Sequence, residues 1–552
     1  MRHARLVDSG VRWLAAHQNP DGGWGDTPTS PSNLATTMLV QAALRLNWGQ
    51  SPIISLGANP NPAEQIIGDC PQLTEAFLAR VAGSSPRERA SSLKASYGKD
   101  RTFATPILAN CALAGLVDWR EVPGLPFELA RLPRRWLGRL ELQVVSYALP
   151  ALIAVGQLIH LRRPTANPLL SFLRDESVGP TLSLLSKIQP ESGGFLEATP
   201  LTSFVVMSLV GAGRSDHPVV RRGIDFLLDS VRADGSWPID ANLSTWVTTQ
   251  AVEALSAAGP VSDPDVLGRW LLDQQHTHVH PYTDSAPGGW AWTDLSGGVP
   301  DADDTSGALL ALARLGGAPR DRAAAGVRWL LDLQNADGGW PTFSRGWGRL
   351  PFDRSSPDLT AHAIRAIRTW YGLVNPARER RAIRRGLEFL RQTQTPDGSF
   401  LPLWFGNQHA PDHANPVYGT SRVLEAYADL GRSACAEAQR GTAFLLRAQH
   451  EDGSWGGAPG TVSSVEETAL ATRALSASGG GTHAASGALR GAAFLAQRIS
   501  KNGLAEAAPI GLYFARLWYS EKLYPAIWSV AALGSVLRAA AGHNGSKAGT
   551  EP

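Results

Sequence analysis

Gly326-Val327-Arg328-Trp329-Leu330-Leu331-Asp332-Leu333-Gln334 reads as a helix that stops at Asn335-Ala336-Asp337-Gly338, with Gly339 and Trp340 just beyond it. The stop follows from residues that cap, turn and tolerate positive φ. The pattern is a Gly, an aromatic three residues on, a Gln five later and an aromatic six beyond that. It recurs as Gly10/Trp13/Gln18/Trp24, Gly386/Phe389/Gln394/Phe400 and Gly441/Phe444/Gln449/Trp455. Degenerate copies are Gly223/Phe226/Trp237 with Val231 in the Gln slot, Leu184/Gln189/Phe195, and Trp270/Gln275, which reaches Trp290 after an insertion. Second helices lie between copies, for example Ser463 to Ser476 and Thr420 to Asp429. Paired helices without an alternating strand pattern predict an all-α chain of helical hairpins stacked into a solenoid or closed toroid. The Gln and Trp residues read as staples, the closing aromatic lying where it can stack on the Gln amide.

A chain of 552 residues exceeds a single core and predicts two or more units. The division is expected near Gly211 to His217, giving an N-terminal unit over 1–215, a C-terminal unit over 216–540 and a solvated tail over 541–552. Residues 51–92 are poorly patterned and acquire no role. Lys and Arg number 51 against 49 Asp and Glu, so no basic field argues for nucleic acid. Cys70, Cys111 and Cys435 are few and far apart, which suits a reducing compartment. Met1 to Asp8 carries no apolar signal run. Tryptophan is the outlier, 18 residues against 9 Tyr.

Val299-Pro300-Asp301-Ala302-Asp303-Asp304-Thr305 leads into the apolar run Ala308 to Ala313. Such a cluster can cap a helix and complement its dipole, coordinate calcium, or hold a proton. Carboxylates packed this closely cannot all ionise cheaply, so repulsion and burial raise one pKa and leave a Brønsted acid. His409 and His413 near Asp412 show no recognised ligand spacing. The segment 131–163 has basic flanks, Trp136 and an apolar middle from Leu142 to His160. Two readings stand for it: a helix dipping into one leaflet, or a core helix of the toroid.

The Gln…Gly-x-Trp repeats together with Asp301-x-Asp303-Asp304-Thr305 resemble the class II terpene cyclases, most closely the bacterial squalene–hopene cyclase branch. Trp119-Arg120-Glu121-Val122-Pro123, Pro126 to Pro133, Tyr418-Gly419-Thr420 and Leu523-Tyr524-Pro525 extend the resemblance. Pro357-Asp358-Leu359-Thr360-Ala361-His362 is similar to the family segment whose His pairs with the acid. The resemblance implies two α/α-barrel domains with a dry cavity, on the cytoplasmic side of a membrane and peripheral to it. It implies protonation-initiated cyclisation of a linear polyprene such as squalene, with no cofactor and no metal, and leaves room for a homodimer. Asp303 would be the proton donor, held by Asp301 and Asp304, with His362, oriented by Asp358, stabilising the anion left behind. Aromatic faces stabilise cations, and Tyr147, Trp246, Trp292, Phe343 and Trp404 fall where the family places its rings.

The chain departs from the pattern at Phe343, where the family has Tyr. It departs again at Ala508-Pro509-Ile510-Gly511-Leu512-Tyr513, where the family has a ring-rich Phe-Pro-Gly-Asp-Phe-Tyr. An acidic residue expected near Leu34-Ala35-Thr36-Thr37 is missing, so initiation looks intact while late ring closure and termination differ. One rival reading is a class II cyclase of a prenyl diphosphate, with magnesium for the pyrophosphate. No concentrated Lys/Arg cluster flanks the motifs, and the sequence has no Asp-Asp-x-x-Asp. The other rival is a non-catalytic helical scaffold, which needs no buried acid.

Overall fold

The computed structural model describes residues 3–47, 62–98, 101–132, 148–281, 283–343, 353–403, 405–479, 481–512 and 517–547. Helices account for nearly all regular structure there, and strands reach only two or three residues. Two compact units emerge: Met1–Asn242 with Leu295–Gly297, and Leu243–Asp294 with Gly298–Pro552. This division falls after the expected Gly211 to His217. The helix Pro218–Asp229 packs back on Thr199–Gly211 and so stays with the first unit.

In the first unit, α1 (Ala4–Ala16) and α2 (Leu34–Asn47) pack on α3 (Pro62–Ala82), which meets α4 (Pro86–Tyr97). The poorly patterned stretch 51–92 thus contains most of two helices. Pro71 lies inside α3 and hides it from a reading that ends helices at proline. A capping box of Ser85 and Glu88 starts α4, and Arg89 donates to Glu75 to tie the pair. Next come α5 (Ala104–Leu113), α6 (Leu149–Arg162), α7 (Pro168–Ile188), α8 (Thr199–Gly211) and α9 (Pro218–Asp229). In α6, every residue from Ile153 to His160 is buried, against α5, α7 and α8. This settles Leu149 to His160 as core and overturns the membrane-dipping reading for that part; residues 133–147 lie outside the described residues.

The second unit is a closed ring. Its inner helices are α10 (Ser244–Ala258), α12 (Ala302–Arg314), α14 (Pro357–Thr369), α16 (Pro416–Asp429), α18 (Val465–Ala477) and α20 (Tyr524–Lys547). Each packs on the next, and α20 packs on α10. The outer helices are α11 (Pro264–Asp273), α13 (Arg320–Leu333), α15 (Pro376–Thr393), α17 (Ala436–Ala448) and α19 (Gly481–Ser500). A helix covered on all sides has to be apolar all round, and the consecutive residues Leu309 to Leu312 of α12 are all buried. The outer α15 buries a stripe of Ala382, Gly386, Phe389 and Leu390 together with Glu379 near its start, while Arg378, Arg380, Arg381, Arg384 and Arg391 are exposed. The last helix runs through Lys547, past the tail expected from 541, because Ala539-Ala540-Ala541 continues a helix readily.

Each element of the repeat has a mechanical task. The Gln334 amide donates to the carbonyls of Gly338 (2.7 Å) in its own turn and Ala382 (2.9 Å) in the next outer helix. Gln394 and Gln449 repeat the arrangement, and Gln18, Gln189 and Gln275 also reach across to the next helix. The closing tryptophan hooks back, its indole N–H donating to Leu330 O from Trp340 and to Leu445 O from Trp455. At Gly326 and Gly386 the opening glycine makes room for the previous repeat's closing ring. A Cβ at Gly326 would lie 2.9 Å from Trp290, and one at Gly386 would lie 2.9 Å from Trp340.

Replacing Gln334 by Ala strands two backbone carbonyls that its amide serves, so it should lower stability by about 1–3 kcal/mol. Gln392→Ala, at an exposed position bonded only within its own helix, should stay within about 0.5 kcal/mol of the parent. Urea unfolding of the two variants checks this, and equal midpoints would refute the staple's role.

Candidate active site

The acidic cluster is positioned from outside by the repeat. The closing Trp290 grips α12 at two points: its carbonyl accepts from Asp301 N–H (3.0 Å), and its N–H donates to Thr305 Oγ1 (3.0 Å). The same two-point grip joins Trp340 to Ser356 and Thr360 at the start of α14. Phe400 N–H donates to Thr420 on α16, and Trp455 N–H to Thr468 on α18. Inner-helix N-termini are thereby held in register around one rim of the ring. The sequence reading missed these threonines, although one recurs in the first two turns of each of these inner helices.

Asp301 is the N-cap of α12, its carboxylate accepting from the N–H groups of Asp303 and Asp304 (both 2.8 Å). It therefore holds the backbone, not the Asp303 carboxyl as the resemblance implied. The Asp303 carboxyl meets His362 directly, Oδ1 to Nδ1 at 2.5 Å, with the two side chains 16% and 12% exposed. Burial pushes Asp301 up to about 7. It pushes Asp304 well above the usual carboxylate range, helped by the charges of Asp301 and Asp303. Asp304 therefore holds its proton more tightly than an ordinary carboxyl does.

Asp358 departs from its expected part. Its Oδ1 accepts from Ser356 Oγ and its Oδ2 has no hydrogen-bond partner, so His362 is oriented by Asp303 and not by Asp358. At the second position of α14, its side chain folds back toward the helix start, one turn from His362. Burial, aided by the Asp303 charge, raises Asp358 to about 6.

Trp292 and Phe343 meet edge to face at 5.9 Å. Trp246 belongs to a larger group of rings. Its indole N–H donates to the Tyr524 hydroxyl (2.6 Å), and Tyr524 stacks on Trp528 at 4.5 Å. Phe405 lies 6.4 Å from Trp246 and 4.6 Å from Tyr418. Tyr147 and Trp404 lie outside the described residues. Phe405, Tyr418, Tyr524 and Trp528 were not anticipated as site residues; Tyr418 and Tyr524 stand in motifs that carried the resemblance, while Phe405 and Trp528 gave no signal. Ile510 joins this ring cluster through a small antiparallel sheet, β1 (Phe405–Gly406), β2 (Ile510–Leu512) and β3 (Leu517–Tyr519), in which it pairs with Tyr519. His413 packs its edge on Trp518. The assembled parts are a buried, partly protonated acid cluster, an imidazole on the middle carboxyl and a set of aromatic faces. Together they can donate a proton and hold a cation.

The family model for the squalene-hopene cyclase C-terminal domain matches residues 243–538, and that for the prenyltransferase alpha-alpha toroid domain matches residues 2–55. The squalene–hopene cyclase of Alicyclobacillus acidocaldarius is 26% identical over 486 residues, covering 76% of this chain and 70% of the relative. The drimenyl diphosphate synthase of Streptantibioticus cattleyicolor is 32% identical over 276 residues, covering 47% of this chain and 48% of the relative. Among solved structures, the ent-copalyl diphosphate synthase from Streptomyces platensis shares the fold. Its TM-score is 0.61 at 20% identity, over 97% of this chain and 94% of that one.

Because Asp301 and Asp304 hold protons more tightly folded than unfolded, the folded state binds more protons above about pH 4, and stability falls as pH rises through that window. Asp304→Asn, which is neutral at every pH, should remove part of this loss. Its melting temperature should exceed the parent's at pH 8, with the gap closing toward pH 4. A gap that widens on acidification would contradict the assignment.

Proposed function

The chain belongs to the squalene–hopene cyclase family of class II terpene cyclases, and we propose that it protonates and cyclises a linear polyprene such as squalene to a polycyclic triterpene. The observation that carries this reading is the Asp303–His362 contact at 2.5 Å within a buried acid cluster. An isolated alkene is a weak base, so its donor must be neutral beforehand and its anion stabilised afterwards. Asp303 gives its proton to the terminal alkene carbon: the O–H bond breaks, the π pair forms the C–H bond, and the adjacent tertiary carbon becomes cationic. His362 holds the carboxylate left behind. Successive π bonds of the chain then close rings, and the final cation returns a proton. Trp292, Phe343 and Trp246 offer ring faces to the cations, and exclusion of water delays quenching.

The end of the cascade departs from hopene formation. Ala508 and Leu512 stand where the family places rings, and Ile510 brings an aliphatic group into the aromatic cluster. Losing one desolvated cation–π contact weakens a late cation by about 2 kcal/mol, enough to redirect partitioning more than tenfold. A second reading, cyclisation of a prenyl diphosphate, draws on the similarity to a drimenyl diphosphate synthase.

No helix among the described residues is long and apolar enough to cross a membrane. We place the contact with a lipid surface on the start of α7, where Leu169, Phe172 and Leu173 are exposed at 77%, 64% and 46% beside exposed Leu161. Residues at i, i+3 and i+4 form one helical face.

Asp303→Asn should fold as the parent does by circular dichroism and lose turnover by roughly a thousandfold or more. Purified protein offered squalene, oxidosqualene and geranylgeranyl diphosphate, with products identified by mass spectrometry, decides the substrate. Near-normal turnover by Asp303→Asn would refute the donor, dominant hopene would refute altered termination, and a cyclised diphosphate alone would favour the second reading. In a separate assay, the double change Leu169→Asp and Phe172→Asp should weaken co-sedimentation with lipid vesicles by about tenfold or more. Unchanged partitioning would remove α7 from the membrane contact.

A further inference from the structure

One helical turn past the acid, the ring of the second unit is filled by charge. Arg365, three residues after His362 on α14, binds Glu253 (3.1 Å), Glu425 (3.1 Å) and Asp429 (2.6 Å). Arg473 joins Glu253 (3.2 Å) and Glu425 (3.4 Å). Burial alone would raise Glu253, but the two arginines hold it well below its ordinary value. These groups pair with one another, as buried charges must, with Glu425 Oε1 meeting Arg473 as an ion pair and not as a hydrogen bond.

Arg422 is different. It lies one turn after Tyr418 on α16 and three residues before Glu425, on the acid's side of the ionic layer, with its side chain 11% exposed. Its polar partners are the Tyr418 hydroxyl, Gln250 Oε1 at 3.4 Å and Glu425 Oε2 at 3.9 Å, the last oxygen already taken by Arg365. Its guanidinium lies over the rings of Tyr418 (5.2 Å) and Trp528 (5.5 Å). Asp429, 41% exposed, reaches Arg365 from the solvent side, and Glu253 and Glu425 are shared by Arg365 and Arg473, so Arg422 is the arginine of this layer whose carboxylate partner lies farthest, at 3.9 Å. Burial acts against the charge of Arg422, and the oxygens of Tyr418, Glu425 and Asp303 outweigh it. A guanidinium kept only for packing would be paired as Arg365 is.

We propose that Arg422 is a positioning residue for proton transfer, a permanent cation in an aromatic cradle that stabilises the carboxylate left on Asp303 and repels positive charge from the initiating end. The proposal rests on the reading of Asp303 as the donor. When the Asp303 proton moves to the alkene carbon, negative charge appears on Asp303 and positive charge on the substrate. A fixed cation on the Asp303 side favours that separation and drives the substrate charge down the chain.

Arg422→Met removes the charge and keeps the length, whereas Arg422→Lys keeps the charge. The Met variant should lose about tenfold or more in kcat with KM for the neutral polyene within about twofold, and Lys should restore most of the rate. Binding of N,N-dimethyldodecylammonium, a cation mimic followed by calorimetry, needs no turnover. It should tighten about fivefold or more in Arg422→Met because a repulsion is removed, and weaken in Asp303→Asn. Damage to the fold would weaken it in both. Ammonium binding by Arg422→Met that is unchanged or weaker, or an unchanged kcat, overturns the proposal. Should Arg422→Met fail to fold, Arg422→Gln answers the same question. A parent that turns over no polyene, with Asp303→Asn no different, sinks the donor reading instead, while the ammonium comparison still decides the role of Arg422.

Discussion

The two-point grip of a closing tryptophan's main chain on the start of the next inner helix, as at Trp290 and Trp340, is the constraint on which the site depends. One carbonyl takes the N-cap amide, and one amide gives to a threonine hydroxyl about a turn later, as at Trp290 with Asp301 and Thr305. A buried main-chain amide without a partner is costly, so the pairing fixes both the height and the rotation of the inner helix. Repeated at Trp340, and at Trp455 through its N–H on Thr468, it brings side chains from the first turns of separate helices to one rim. His362 reaches Asp303 because Thr360 and Thr305 are each clamped two residues away.

The acid cluster serves structure and chemistry at once, with the tasks divided among its members. Asp301 satisfies helix-end amides that would otherwise be orphaned. Asp303, in the first turn, gains from the positive end of the helix dipole and from His362. Asp304, buried beside Asp301, holds its proton more tightly than an ordinary carboxyl. Three carboxyls side by side would repel if all were ionised, and burial resolves this by keeping a proton in the cluster. The arrangement lowers stability at neutral pH, as sites that need an unusual protonation state tend to do.

Below that rim, the ring changes character from aromatic to ionic. The rings around Trp246, Tyr418, Tyr524 and Trp528 present polarisable faces without nucleophiles. The layer of Arg365, Arg473, Glu253 and Glu425 closes the space beneath with charges that neutralise one another. Arg422 marks the boundary, its guanidinium on the rings and its charge within reach of the acid.

The repeat was legible in the sequence because its parts are local: Gly326, Trp329, Gln334 and Trp340 lie within one helix and its turn, so periodicity and turn chemistry alone determined the helical hairpins and the all-α class. The Asp301 to Thr305 cluster was legible for the same reason, its cap, dipole and repulsion all being properties of neighbours in the chain. Tertiary structure decided what depends on distant partners. His362 could have been oriented by Asp358 one turn away or by Asp303, 59 residues away, and only ring closure brings the latter within 2.5 Å. The apolar run ending at His160 has the same composition in a core or at a lipid surface, and the packing of α5, α7 and α8 around it chose the core. Phe405, Trp528 and Arg422 come from separate helices and a loop, and their shared neighbourhood exists only because six inner helices among the described residues close on themselves.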